Sequence, residues 1–303
     1  MKKTINITTL ILCLFWISSF SQSFDRESEH RLEKTSDQLF YEAKSLYNEA
    51  KYWECARDLV ILLDFYSGYS KLDQVIYILG DCLYEIDLKK AASKIYKHLV
   101  KKYINSPHLP NALLGLQRIE YDINNYLKCI EFYKVIRRAH ASSEILDIAR
   151  YYAGLSYSKM NNYESAVELL NQMSENGLYY DYGLYTLATC YMRQRQVRQA
   201  LDTFHKITSL NITTQSRRKV VDETHLTLGY IYYELGYFGE ALEQFKQVST
   251  NHEQYSQALI AAGWSLVKLQ RYKDALEPLT AILAIAPNSE IAEESMFLLG
   301  RCY

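Results

Sequence analysis

Aromatic side chains dominate the residues of this sequence that could take part in recognition. Of 303 residues, 28 are tyrosine, 10 phenylalanine and 3 tryptophan. A tyrosine ring buries a large area at low entropic cost, and its hydroxyl can donate or accept a hydrogen bond, which is the combination that binding surfaces use. The excess of tyrosine therefore favours a binding function, provided that the fold gathers the rings on one surface.

Motifs for catalysis or metal binding do not occur in the sequence. It contains no G-x-S-x-G, G-x-x-x-x-G-K, H-E-x-x-H or G-x-G-x-x-G. The histidines and cysteines are scattered without the spacing of metal ligands, and there is no CxxC. Carboxylate pairs such as Glu293 and Glu294 are adjacent in sequence, so they would not face each other on a helix. We expect a protein that is not an enzyme and that holds no cofactor or metal.

Composition favours an all-α globular chain and excludes a nucleic-acid partner. Hydrophobic residues make up 49% of the chain and charged residues 23%, which is enough to bury a core. Lys plus Arg at 34 against Asp plus Glu at 35 leaves no basic excess for a phosphate backbone. Only 11 glycines and 4 prolines interrupt the chain, so long helices are favoured.

The N-terminus has the pattern of a secretory signal peptide. A basic pair precedes an apolar segment and two small residues at cleavage-site spacing: Lys2, Lys3, Leu10–Ile17, Ser19 and Ser21. We expect cleavage after Ser21, which makes residues 1–21 a signal peptide and residues 22–35 a lead-in. The apolar segment is short of the roughly 20 residues that span a bilayer. We therefore expect no transmembrane segment and an exported protein, periplasmic or associated with the cell envelope.

One position of a repeated pattern recurs through the rest of the chain, and a small residue occupies it in every copy but one. It stands at positions 43, 80, 117, 154, 188, 229, 263 and 300, at intervals of 37, 37, 37, 34, 41, 34 and 37. Around it the patterns L-G-x2-Y and A-x3-F recur, most completely at Leu228, Gly229, Tyr232, Ala241 and Phe245. The apolar positions within each copy fall on one stripe of each of two helices.

Two copies depart from the pattern. Gln117 takes the small-residue position of the third copy, so we expect that repeat to open slightly. The interval of 41 leaves seven extra residues in a polar stretch, and we expect them to form the longest loop, within about Ser209–Asp222.

The period and these residues resemble the tetratricopeptide repeat, over residues 36–303. The resemblance implies an all-α fold, a right-handed superhelical solenoid of antiparallel helix pairs. The repeats are expected at 36–69, 73–106, 110–143, 147–180, 181–214, 222–255 and 256–289, with a partial repeat at 293–303.

In this family the concave groove is lined by positions 2, 5, 9, 12 and 13 of the first helix of each repeat. Every complete repeat here has an aromatic residue among them: Phe40, Tyr47, Tyr77, Tyr84, Tyr121, Tyr151, Tyr182, Tyr185, Tyr230, Tyr233 and Trp264. The resemblance therefore implies a groove that binds a protein segment or a partner subunit. The alternative interpretation is that a tyrosine-rich chain has tyrosine on every face, or that these rings pack against neighbouring repeats.

We expect a non-enzymatic protein–protein interaction scaffold of the bacterial cell envelope. One alternative is the targeting arm of a larger enzyme or secretion component that continues beyond residue 303. Another is a binder of glycan or peptidoglycan fragments, in which Tyr and Trp stack on sugar rings. At the C-terminal end an apolar stripe begins an eighth repeat whose second helix is missing: Met296, Leu299, Gly300 and Tyr303. We therefore expect further repeats or self-association through this end.

Overall fold

The computed structural model describes residues 35–139 and 141–303, and over these residues the chain forms fifteen helices and no strand. The predicted signal peptide and residues 22–34 of the lead-in lie outside them. The chain divides into two compact units after Met160. The first unit contains α1 Ser36–Asn48, α2 Tyr52–Phe65, α3 Leu72–Glu85, α4 Lys89–Lys102, α5 Leu109–Asp122, α6 Tyr126–Arg138 and α7 Ser143–Lys159. The second contains α8 Tyr163–Leu170, α9 Tyr180–Arg193, α10 Val197–Thr208, α11 Gln215–Glu234, α12 Phe238–Lys246, α13 Tyr255–Lys268, α14 Tyr272–Ile285 and α15 Glu290–Cys302.

Within each unit consecutive helices pack against each other, which confirms the all-α arrangement of helix pairs predicted from the sequence. Across the described ranges, no helix combines the length and the apolarity that a bilayer-spanning segment requires.

Seven turns between helices share one backbone conformation. In each, one residue has left-handed backbone, with φ between 58° and 62° for six non-glycine residues and 83° for the glycine: Ala50, Asp87, Asn124, Asn161, Arg195, Gln270 and Gly236. In six of these turns the residue after it donates its N–H to the last turn of the preceding helix, as where Leu88 N donates to Leu83 O at 2.8 Å. These residues follow each other at intervals of 37, 37, 37, 34, 41 and 34, the series found for the small residue in the sequence.

The helices of the first unit approach closely where a glycine meets a ring. Tyr96 of α4 is completely buried. A β-carbon at Gly80 of α3 would lie 2.4 Å from this ring, and one at Gly115 of α5 would lie 2.5 Å from it. The two glycines therefore provide the space in which Tyr96 is held between α3 and α5.

Gln117 does not open the third repeat, so that expectation was wrong. The side chain is completely buried, and its Nε2 donates to the backbone oxygen of Ala149 on α7 at 2.9 Å. The long side chain is accommodated because its amide is bonded to the backbone of the next repeat.

The second unit repeats the glycine contact at two helix pairs. A β-carbon at Gly229 of α11 would lie 2.4 Å from Phe245 of α12, and one at Gly263 of α13 would lie 2.6 Å from Leu279 of α14. In both pairs the large residue follows the glycine by sixteen positions, as Tyr96 follows Gly80. At Gly80, Gly229 and Gly263 the recurring small residue is thus the contact point between the two helices of a repeat.

Helix α11 is longer than the sequence suggested. It begins at Gln215, and Thr214 caps it by accepting the N–H of Arg217 at 3.1 Å. The seven extra residues therefore continue the helix by about two turns, and the loop expected up to Asp222 ends at Thr214. That expectation was wrong because the stretch has a good N-cap and no helix breaker.

Arg217 fixes this extension to the preceding repeat. Its Nε and Nη2 donate to the carboxylate of Asp181 on α9 at 2.8 and 3.2 Å, and Nη1 donates to the carbonyl of Asn211 at 3.0 Å. Asp181 is buried, so the paired guanidinium supplies the hydrogen bonds that the carboxylate has lost from water. The start of α11 is held in place by this ion pair.

Candidate functional site

The first helix of each pair also packs against the first helix of the next pair in the same unit. These A helices are α1, α3, α5 and α7 in the first unit, and α9, α11, α13 and α15 in the second. We use the name A-helix face for the surface formed by repeat positions 2, 5, 9, 12 and 13 of these helices. Each unit has its own A-helix face.

Asp81 of α3 lies on the A-helix face of the first unit. Its carboxylate accepts hydrogen bonds from the hydroxyls of Tyr47 on α1, at 3.3 Å, and Tyr96 on α4. Burial raises the pKa of Asp81, while the hydroxyls of Tyr77, Tyr96 and Tyr47 and the charge of Arg118 act in the opposite direction. Burial also raises the pKa of Tyr77, and Asp81 adds to that shift. The phenols therefore stay neutral hydrogen-bond donors around a partly buried acid.

A second acid joins the next pair of A helices. The hydroxyl of Tyr84 on α3 donates to Asp122 on α5 at 2.7 Å, and the Lys89 ammonium lies 3.0 Å from the same carboxylate oxygen. The guanidinium carbon of Arg118 lies 4.2 Å from the centre of the Tyr84 ring, and its Nη2 is 3.6 Å from Glu85. An arginine stacked on a tyrosine and paired with a carboxylate is a favourable cation–π arrangement. The cation for the Tyr84 ring thus comes from the chain itself.

The other predicted groove residues of the first unit are ring contacts. Tyr121 lies 5.5 Å, centre to centre, from Tyr152, which is in turn 5.4 Å from Tyr151 on the same helix. Phe40 is buried, with only 2% of its surface exposed, and its ring packs against Tyr69. Phe40 therefore contributes to the core of the first repeat, whereas Tyr121 and Tyr151 are partly exposed.

The second unit contains a cleft of about 630 Å³ whose walls come from α9, the extended start of α11 and the turn before α13. Its lining includes two of the predicted tyrosines and several charged groups: Tyr182, Tyr185, Arg218, Lys219, Glu223 and His252. The Tyr185 hydroxyl donates to Glu223 at 3.4 Å and lies 3.0 Å from the Thr227 hydroxyl. The ring of Tyr185 packs edge-on against Phe204 at 5.7 Å.

Three further aromatic residues lie on the A-helix face of the second unit. Tyr230 is 42% exposed and packs edge-on against Phe245 at 5.3 Å, and Tyr233 packs in the same way against Phe238 at 5.2 Å. Trp264 on α13 donates its indole N–H to Glu294 on α15 at 2.5 Å. Tyr230 is the predicted groove residue with the largest exposed fraction.

The structure brings the predicted residues together as two sets, one in each unit. Many of the tyrosine hydroxyls form hydrogen bonds with the neighbouring repeat. Sequence reasoning missed the cleft in the second unit, because His252 and the start of α11 are not groove positions in the repeat pattern. The seven extra residues were the signal for it. Among the residues that the structure describes, no group of His, Cys, Asp and Glu has the arrangement of a metal site.

Comparisons with known proteins agree with this architecture. Models of the tetratricopeptide repeat match residues 182–210 and 226–290, and a PPR repeat model matches residues 156–178. A search of curated protein sequences found no significant match.

Solved structures with the same fold cover most of the chain. The C-terminal part of a TPR repeat-containing protein from Cytophaga hutchinsonii is 14% identical with a TM-score of 0.62, over 84% of this chain and 98% of that one. A tetratricopeptide repeat protein from Parabacteroides merdae is 13% identical with a TM-score of 0.55, over 87% and 98%. The apo form of the quorum sensor NprR from B. thuringiensis is 14% identical with a TM-score of 0.56, over 87% and 79%.

The repeat matches, the recurring turn and the glycine contacts define a solenoid of helix pairs. The chain is a tetratricopeptide-repeat protein. This fold is generally a non-enzymatic scaffold, and it is consistent with a role in protein–protein interaction.

Proposed function

We propose that the protein is an exported, non-enzymatic scaffold of the bacterial cell envelope that binds a segment of a partner protein on its A-helix faces. The observation that carries the proposal is the row of partly exposed aromatic rings on consecutive A helices, of which Tyr230 is exposed over 42% of its surface. Rigid aromatic side chains with a polar tip are enriched at the energetic centres of protein interfaces.

The contacts between A helices support the proposal by preorganising the surface. Tyr47 is held by Asp81, Tyr84 by Asp122, and Tyr185 by Glu223. A side chain that is already fixed in its rotamer loses less entropy when a partner binds. Each A-helix face therefore presents its rings in one arrangement.

Photo-cross-linking in cells tests where the partner binds. A benzophenone amino acid is placed at Lys44 or Tyr230, on the A-helix faces, and for comparison at Lys97 or Lys134, which are exposed on the second helices α4 and α6. We expect adducts with one or a few proteins from the A-helix positions only. Adducts that form only from Lys97 or Lys134, or from no position in well-expressed variants, would contradict the proposal.

The export part of the proposal depends on the N-terminal pattern, and it has its own test. We expect the protein isolated from the envelope fraction to begin at or near Gln22. A chain in that fraction that still begins with Met1 would show that the predicted cleavage does not occur.

A further inference from the structure

The two A-helix faces differ in how their aromatic rings meet positive charge. In the first unit Tyr84 and Glu85 end α3, and Arg118 from α5 covers the Tyr84 ring at 4.2 Å while its Nη2 lies 3.6 Å from Glu85. Lys89 also lies over this ring, at 5.8 Å. The cation–π and ion-pair sites at this point are therefore occupied by side chains of the chain itself.

The same sequence pair recurs in the second unit, where Tyr233 and Glu234 end α11. The repeat position that holds Arg118 in the first unit is Trp264 here, and its indole N–H is directed to Glu294. Within residues 161–303, no lysine or arginine lies over the rings of Tyr230, Tyr233 or Trp264. The arginine of the first unit thus has no counterpart at this place.

Carboxylates accompany these uncovered rings. Glu223 precedes Tyr230 by two helical turns, so both lie on one side of α11. Glu294 of α15 accepts the hydrogen bond from the indole N–H of Trp264 on α13. Burial raises the pKa of Tyr230, and the charges of Glu294 and Glu223 raise it further, which indicates that both acids act on this ring. We use the name acidic aromatic patch for Tyr230, Tyr233, Trp264, Glu223 and Glu294.

A histidine and a lysine of the protein adjoin the patch without filling it. The Nε2 of His252 lies 3.9 Å from Glu223, at the border with the cleft. Lys268 follows Trp264 by one helical turn and is exposed to solvent. In the described part of the chain, neither of them stacks on a ring of the patch.

We propose that the acidic aromatic patch binds an arginine side chain of the partner segment, a cation of the kind that Arg118 supplies to the Tyr84 ring in the first unit. A guanidinium suits this site because its plane stacks on a ring while its N–H groups bond to carboxylates. The proposal rests on the proposed function, since it assumes that a protein segment lies on this face, and it adds the chemistry that the segment must carry.

The test follows the Trp264 resonance by fluorine NMR in the full chain labelled with 5-fluorotryptophan. The probes are two short acetylated and amidated peptides that differ only in having arginine or its neutral analogue citrulline. We expect the arginine peptide to shift the Trp264 line saturably, with an apparent Kd about tenfold lower than that of the citrulline peptide. The Trp53 line, which reports on an exposed ring of α2, should stay in place.

Matched variants locate the effect. Glu294→Gln should weaken the response to the arginine peptide several-fold, whereas Glu293→Gln, its exposed neighbour on α15, should leave it unchanged. Equal shifts with both peptides, no shift of Trp264 by the arginine peptide, or equal effects of the two glutamine variants would overturn the proposal.

The outcome is separable from that of the proposed function. If cross-linking captures a partner at Tyr230 but the two peptides act equally, the arginine preference is wrong and the binding face stands. If no partner is captured but only the arginine peptide shifts Trp264, the patch binds the guanidinium and the scaffold function is wrong.

Discussion

The ring of Tyr96 occupies the space that a β-carbon at Gly80 would need, since Cε1 lies 2.4 Å from that position. This contact sets how closely α4 approaches α3, and the Tyr96 hydroxyl then reaches Asp81 on the A-helix face. One buried residue thus connects the packing of the repeat to the arrangement of its binding surface.

Replacing Gly80 by alanine should destabilise the first unit. The added methyl group would overlap the Tyr96 ring, and overpacking of this kind costs about 1–3 kcal/mol. Gly68→Ala is the control in the same unit, because a β-carbon there meets nothing within 4 Å. Urea unfolding should show a lower midpoint for Gly80→Ala only. Equal midpoints for the two variants would mean that α3 and α4 separate without cost.

The left-handed turns predict opposite effects for two substitutions in the second unit. Gln270 has φ 59°, which costs an L-residue about 1 kcal/mol or more, so Gln270→Gly should raise the thermal midpoint. Gly236 has φ 83°, and Gly236→Ala should lower it by a similar free energy. Thermal melts followed by circular dichroism measure both. A lower midpoint for Gln270→Gly would show that its side chain contributes more than the backbone strain costs.

Asp81 should make stability depend on pH. Because burial raises its folded-state pKa above the ordinary value of 3.8, the folded state binds the proton more tightly than the unfolded state. The resulting stabilisation is fully present below that ordinary value and is lost as the pH rises through the raised pKa. Relative to Asp81→Asn, the wild type should therefore gain stability as the pH falls from neutral toward about 4. Urea midpoints of both proteins across this range measure the difference, and a constant or reversed difference would contradict the assignment.

Association through the C-terminal helix stays a prediction. Met296 and Phe297 of α15 are 53% and 61% exposed, while the next residue, Leu298, is buried. Light scattering across a concentration series should show a rising mass for the chain and a constant mass for Met296→Glu with Phe297→Glu. A monomer at every concentration, with α15 protected from hydrogen exchange, would disprove it.

Much of the fold follows from the sequence, because a recurring glycine and a large residue sixteen positions later determine a helix crossing. The pairs Gly80 with Tyr96 and Gly229 with Phe245 could be found in this way. The packing of Gln117 could not be, since its amide bonds to the backbone of Ala149 in the next repeat, a contact that the spacing within one repeat does not specify.

The candidate site was predictable in part. Repeat positions placed Tyr77 and Tyr84 on the A-helix face of the first unit and Tyr230 on that of the second. They did not show that Asp81 and Asp122 would accept hydrogen bonds from the phenols of the preceding A helix. These hydrogen bonds depend on how far a side chain of one repeat extends toward the next. The spacing of residues within one repeat gives no information about that distance.

Binding of the cross-linked partner to two tyrosine variants tests the central claim most directly. Tyr230 on the A-helix face and Tyr272 at the start of α14 are both 42% exposed, so their truncation to alanine removes similar exposed surface. Calorimetry with the purified partner should give a Kd raised about tenfold or more by Tyr230→Ala, as for an interface hot spot, and a Kd unchanged by Tyr272→Ala. An unchanged Kd for a folded Tyr230→Ala protein, or equal losses in the two variants, would contradict the claim that the A-helix face binds the partner.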